Sequence, residues 1–379
     1  MNAPKDEDRL EPYILLFSTG CLAGVIGLVF WIFFQFGFIQ FYPRALHGNL
    51  MFFGFLWSFV AGFLMTAIPK MTSTLPAQVS EISIGVGLVF FQVVLNVRNL
   101  TDAPVAIFLV QNVFLLFFIL RRFLVNRKVP FFGFVFIPMA FAQSILGVAL
   151  FYFYNDRNLF LQFAGEAFIL NLILGLGSRL IPVISRLPNA LLPNERSNSD
   201  GLLRPLITLL FINIGYWCDI FDFKTVGAAL RIIGTLFAAI YLLKLFVKPV
   251  TWSFVGIGLK IAVILLTLGQ ILSLPLLNNI LAGQHFIYIG GFSMITLLVA
   301  TRVMLAHGGQ SLNYEISSKR LILVILLFFL SALMRFSIGN DISNYIVSCS
   351  ALLFIIALAI WFFQFFKILN SKLIKNSST

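Results

Sequence analysis

The chain has 379 residues, 60% of them hydrophobic and 11% charged, including 45 Phe. That leaves too little polar surface for a water-facing domain, so lipid is the solvent for most of this chain. Its net charge of +12 lies in short gaps between apolar runs and not along one polar face, which excludes a nucleic-acid footprint and makes the basic residues markers of membrane topology.

A membrane-crossing helix needs about 20 mostly apolar residues. Runs of that kind fall at 13–37, 47–68, 80–97, 103–120, 131–154 and 158–178, then at 203–221, 226–246, 252–273, 282–304, 320–337 and 344–367. They predict an all-α integral membrane protein of twelve transmembrane helices, forming one domain over residues 13–369 between a segment 1–12 and a tail 370–379. The run after residue 12 is too long for the core of a signal peptide, which makes it an uncleaved first span. The longest interior gap, 179–202, carries Pro182, Pro188, Pro193 and a polar run from Asn194 to Gly201, and divides the chain into two halves of six. No internal sequence repeat relates the halves. Cys21, Cys218 and Cys349 fall within apolar segments and form no CxxC, so neither a disulfide framework nor a zinc site is indicated.

Of the 26 Lys and Arg, nineteen fall in alternate gaps on the side of the N-terminus. Five, Arg44, Arg98, Arg157, Lys224 and Arg335, fall on the other, and Arg231 and Lys260 lie inside spans. The bias places both termini in the cytoplasm.

There are three histidines, His47, His285 and His307. His47 opens the second span and His285 the tenth, and both spans start from the outer side, so the two imidazoles share one depth. His307 lies about 33 Å further along the tenth helix at 1.5 Å per residue, more than the roughly 30 Å hydrocarbon core. It is expected to share no site with the other two. Two histidines at one depth on different helices suit axial haem ligation, which takes one nitrogen from each side of the porphyrin. The plainer alternative is a pair of interfacial residues satisfied by water or headgroups. Met51, one turn after His47, offers a thioether, though Met in a helix is commonly packing.

The run Leu46-His47-Gly48-Asn49-Leu50-Met51-Phe52-Phe53-Gly54-Phe55, continued by Ala61-Gly62-Phe63-Leu64-Met65-Thr66-Ala67-Ile68-Pro69-Lys70, resembles the signature of the NnrS family. That signature reads Trp-His-x-His-Glu-Met-x-Phe-Gly followed by Ala-Gly-Phe-Leu-Leu-Thr-Ala-x-Pro. Two later stretches resemble its other motifs: Gly177-Ser178-Arg179-Leu180-Ile181-Pro182, and Thr301-Arg302-Val303-Met304-Leu305-Ala306-His307-Gly308-Gly309. The resemblance implies a haem-binding inner-membrane protein, reportedly with copper, connected with nitric oxide metabolism. The chain departs from the pattern where Asn49 and Leu50 replace His-Glu and Gln310 replaces an Arg, and these losses count against copper, for which Asn and Leu are poor ligands. Haem of b-type needs only His47 and His285.

A second likeness is to the large subunit of haem-copper oxidases, in the segments His47-Gly48-Asn49-Leu50-Met51-Phe52-Phe53, Gly165-Glu166-Ala167-Phe168-Ile169-Leu170 and His285-Phe286-Ile287-Tyr288. It implies a similar twelve-helix bundle with a low-spin haem between the second and tenth helices. The reducing centre of those enzymes needs further histidines, and there is none between residues 48 and 284. Oxygen or nitric oxide reduction by that mechanism is therefore excluded, which leaves a haem that carries electrons with a partner, senses redox state or is structural.

Ionisable groups within a bilayer are site candidates by default. Glu166 is a candidate for a proton relay or a buried hydrogen bond, and Lys260 for snorkelling to the inner interface. A secondary transporter with Glu166 and Lys260 in its pathway is the alternative function. Arg44 and Arg98, in outer gaps, suit the propionates of a haem, Arg44 better because it is three residues from His47. Arg179, Arg302 and His307, with Gly308-Gly309, form either a second, cytoplasm-facing site or ordinary topological anchoring. Gln92, Asn96, Asn112, Gln143 and Asn171 are expected to hydrogen-bond between helices.

Overall fold

The computed structural model describes residues 10–100, 102–126, 131–190, 199–277, 279–336 and 344–377. Residues 1–9 of the N-terminal segment and 191–198 of the interior gap lie outside them. The described residues form helices and no strand. The long ones are α1 (Pro12–Gln35), α2 (Arg44–Thr72), α3 (Val79–Val97), α4 (Ala103–Asn126), α5 (Phe132–Tyr154) and α6 (Arg157–Ile184). There follow α7 (Ser199–Ile220), α8 (Lys224–Leu242), α9 (Phe254–Leu272), α10 (Ile280–His307), α11 (Lys319–Phe336) and α12 (Asn344–Ser377). Eleven are long and apolar enough to cross a membrane. The remaining one, α11, has 18 residues with Lys319, Arg320 and Arg335 at its ends. Together they occupy the positions of the twelve apolar runs, and the protein is an all-α, multi-pass membrane protein.

Several helices outrun the apolar stretches that announce them: α2 starts at Arg44, α4 reaches Asn126 and α6 continues to Ile184. Hydropathy marks the part of a helix that meets lipid, while the hydrogen-bonded helix continues into the polar interface. Pro69 and Pro182 accordingly sit inside α2 and α6, near their ends.

Three helices form the interior. In α2, α6 and α10, 78% of the apolar window is buried, against 28–61% in the other eight spans, so these three, four apart in chain order, are wrapped by the rest. Each carries a π-helical segment: Leu50–Leu56, Leu161–Ala167 and Phe286–Ser293. A π turn inserts a residue and frees a carbonyl from the regular ladder, and such turns concentrate at functional sites. In α10 the Ser293 hydroxyl donates to the Tyr288 carbonyl at 2.7 Å. Each segment also holds a glycine against which a neighbour closes: a Cβ at Gly54 would lie 2.8 Å from Ala23 Cβ, at Gly165 2.9 Å from the Phe52 ring, and at Gly290 2.6 Å from Leu265. Small residues permit this approach where lipid offers no hydrophobic drive between helices.

Polar residues join the helices. Gln143 and Asn171 both bond Asn213 Oδ1, at 2.7 and 3.0 Å, tying α5 and α6 to α7. Asn49 donates to Asn96 at 2.8 Å between α2 and α3. The expectation of interhelical bonds fails at Asn112, which donates to Phe108 O on its own helix, and at Gln92, whose side chain has no partner among the described residues.

Close backbone packing predicts a contrast between two glycines. A Cβ at Gly147 would lie 2.5 Å from Ala164 N, whereas Gly87 on α3 has nothing within 4 Å. Gly147→Ala is expected to destabilise by about 1–3 kcal/mol, read as a lower melting temperature in detergent. Gly87→Ala should leave stability unchanged or raise it by up to about 1 kcal/mol, because Ala is the better helix former.

Candidate functional site

At one end of the bundle the loops α1–α2, α5–α6, α7–α8 and α9–α10 meet around a cavity of about 610 Å³, within the roughly 300–1,000 Å³ usual for cofactor pockets. The sparsely basic side is this end. His47, His285, Arg44, Met51 and Glu166 all line the cavity, so the structure brings five of the candidate residues to one place.

Both imidazoles are held through Nδ1. His47 Nδ1 lies 3.1 Å from Gly27 O and His285 Nδ1 lies 2.7 Å from Leu281 O. A carbonyl only accepts, so each ring carries its proton on Nδ1 and its lone pair on Nε2, the tautomer required for ligation through Nε2. Trp31 packs edge-on against His47 with ring centroids 5.9 Å apart. The Nε2 of His285 accepts from Arg335 Nη2 at 3.0 Å. Val347, Ala351 and Phe354 of α12 and Leu28 of α1 complete an apolar wall on this side.

Helices α6 to α8 supply a polar wall. Glu166, 4% exposed, accepts from Tyr216 at 2.9 Å through one oxygen and from Tyr288 at 2.7 Å through the other. Arg231 of α8 pairs with Asp219 of α7 at 2.6 Å and donates to Gly215 O at 2.8 Å, while its guanidinium lies 4.9 Å from the Tyr216 ring. Gln162 donates to the same Asp219 oxygen. Tyr288 reaches the two imidazoles' side of the cavity, its ring 6.1 Å from that of His285.

The remaining candidates lie elsewhere. His307 sits at the opposite end of α10, where its Nδ1 accepts from Lys70 Nζ at 2.6 Å. Arg302 pairs with Glu315 at 2.5 Å, and Arg179 lies 5.6 Å from the Phe131 ring. Burial raises the Glu315 carboxyl, against the lowering effect of Arg302. Neither Arg98 nor Lys260 lines the cavity; Lys260 donates to Val247 O at 2.7 Å in the loop after α8. Glu166 and Lys260 therefore share no pathway through this cavity. Among the described residues no group of three or more His, Cys, Asp and Glu side chains is disposed to hold a metal ion.

Sequence reasoning overlooked Asp219, Arg231, Tyr216, Tyr288 and Arg335 as site residues. A signal existed for the first two: opposite charges inside consecutive spans on either side of a tight turn, within reach of a long Arg side chain. Arg335 gave only its place on the outer side, the signal that raised Arg44 and Arg98; its contact with His285 comes from the packing of α11 on α10.

A buried ion pair is costly to break and cheap to replace whole. Asp219→Leu or Arg231→Met alone is expected to cost about 3–5 kcal/mol, measured by thermal unfolding in detergent. The double variant should recover most of that loss.

No curated protein matches the chain. The family described as NnrS protein matches residues 10–372, from the approach to α1 into the end of α12, including the motifs that carry His47, Arg179 and His307. With nearly its whole length matched, the chain belongs to the NnrS family.

Proposed function

We propose that this protein binds one b-type haem near the outer face of the bacterial inner membrane, with both termini in the cytoplasm, and acts in nitric oxide metabolism or the response to nitrosative stress. The observation that carries the reading is the meeting of His47 and His285 in one cavity with both Nδ1–H groups anchored on backbone carbonyls. Family membership supports the link to nitric oxide.

The residues fit the group. His47 and His285 would hold the iron, the α1 and α12 wall would exclude water, and Arg44 and Arg335 would meet the anionic edge, as guanidinium suits carboxylate. Arg335 must release His285 Nε2 for this, and the guanidinium so freed stays beside the site. Bound haem supplies one-electron redox chemistry. With both imidazoles committed to holding it, the bound group would serve electron transfer with a partner or redox sensing. Copper is not part of the reading, because Asn49 and Leu50 stand where further ligands belong.

Purified in detergent from haem-replete cells, the wild type should show the Soret and split visible bands of a low-spin haem. His47→Ala and His285→Ala should each lose the low-spin signature or the haem itself, while keeping the wild-type elution volume. A wild-type preparation without a Soret band would overturn the proposal.

A further inference from the structure

A second cavity, at the opposite, densely basic end of the bundle, has no part in the haem reading. It also encloses about 610 Å³, and its walls come from the end of α6, the loop after α8, the end of α10 remote from His285 and the loop after α10. Leu187, Val250 and Leu312 make much of the wall apolar, while Arg186 and Arg302 are the charged side chains that line it among the described residues. Both arginines are fixed from behind. Arg302 donates to Glu315 at 2.5 Å. Arg186 donates to Leu312 O at 3.3 Å, and its own carbonyl accepts from Val250 N at 2.9 Å. A guanidinium carries five N–H donors, so most of the donors of this pair have no partner among the described residues. Glu315 pairs with Arg302 and lies close enough to Arg186 to feel its charge. One carboxylate cancels at most one of two positive charges, which leaves the cavity cationic.

Arg186 also occupies a costly backbone position. It follows α6 with φ +55°, in the left-handed region where helices commonly end on Gly or Asn, because a Cβ is crowded there. Strained positions of this kind gather at ligand clamps. The α8–α9 loop that supplies Val250 exposes Phe246 and Trp252 as well. Lys260 of α9 donates to Val247 O of the same loop at 2.7 Å, with its ammonium 5.5 Å from the Trp252 ring. Exposed aromatic residues beside a snorkelling lysine mark the headgroup level of a bilayer. The Val250 side of the cavity lies at that level.

We infer that this cavity binds the phosphate group of an anionic phospholipid, with Arg186 and Arg302 taking the phosphate oxygens and the apolar wall beside Val250 taking the adjoining glycerol and acyl carbons. A guanidinium suits phosphate because its planar fork delivers two parallel N–H bonds. Basic pockets between helices at the headgroup level are a recurrent means of holding acidic lipids. The bound phosphate ties together three segments distant in the chain: the end of α6, the α8–α9 loop and the α10–α11 loop. The inference is independent of the haem reading, since no residue of the first cavity enters it.

The test is native mass spectrometry of the detergent-purified full chain with added phosphatidylglycerol, phosphatidylcholine or inorganic phosphate, alongside thermal unfolding in the same mixtures. The wild type is expected to bind phosphatidylglycerol more tightly than phosphatidylcholine, whose choline brings a cation toward the arginines. Arg186→Gln, which keeps the Arg302–Glu315 pair, should weaken phosphatidylglycerol binding about fivefold or more, the contribution of one basic residue at an anionic surface. Arg186→Lys should restore part of the loss. Removing the pair together, by Arg302→Gln with Glu315→Gln, should weaken binding as Arg186→Gln does, and Arg320→Gln, outside the cavity, should leave it unchanged. Phosphatidylglycerol should raise the melting temperature of the wild type more than that of Arg186→Gln. Inorganic phosphate that stabilises the wild type as well as the lipid does, and displaces it, reassigns the site to a soluble phosphate and overturns the lipid source. Equal phosphatidylglycerol binding by the wild type, Arg186→Gln and the double variant overturns the inference outright.

Discussion

A polar group buried in hydrocarbon has no water to bond, and an unpaired one costs several kcal/mol, about the size of a whole protein's net stability. Around the cavity and the α5–α7 contact the bundle meets that demand with paired side chains. Asn171, Asn213 and Gln143 satisfy one another across three helices. Arg231 is matched by Asp219 and a backbone carbonyl. The imidazoles that face the cavity pin their ring protons on carbonyls, and the only acid of α6 within the bundle is gripped by two phenols. At His47, His285, Glu166 and Arg231 the polar groups that line the cavity are each held by a named partner.

The cavity is bordered by α2, α6 and α10, the most buried helices, each of which carries a π segment. A regular helix repeats its faces every 3.6 residues, so His47 and Met51, or His285 and Tyr288, would stand in a fixed relation to every residue that follows. A π segment resets that relation part-way down the helix. The upper turns can then present polar groups to the cavity while the lower turns present Leu, Ile and Phe to the core. The glycines in these segments bring neighbouring helices in close enough to seal the space below.

Much of this architecture was legible from residue order. Apolar runs of bilayer length placed the twelve helices, and the charge asymmetry separated the end with His47 and His285 from the end with His307. Those signals are local in the chain, and hydropathy reads them directly. Helix ends were not legible, since a helix does not stop where lipid does, as Ile184 and Asn126 show. The π segments were invisible because they depend on which neighbour presses on Gly54, Gly165 and Gly290. Contacts such as Arg335 with His285 join residues fifty positions apart that only packing brings together. Asp219 and Arg231 were readable in principle, since each lies within a few residues of the same turn.

That turn has a consequence for how the chain is made. Arg231, two turns into α8, raises the cost of inserting that helix from the translocon by up to about 2.5–3.5 kcal/mol, and α7, which carries Asp219 at its end, is the least apolar of the eleven candidate spans. Joined by only three residues, Phe221 to Phe223, α7 and α8 emerge in immediate succession. A hairpin with Asp219 against Arg231 presents no net charge from this pair to lipid. The pair that shapes the cavity in the finished protein therefore also lowers the cost of carrying Arg231 in lipid when the two helices are inserted side by side.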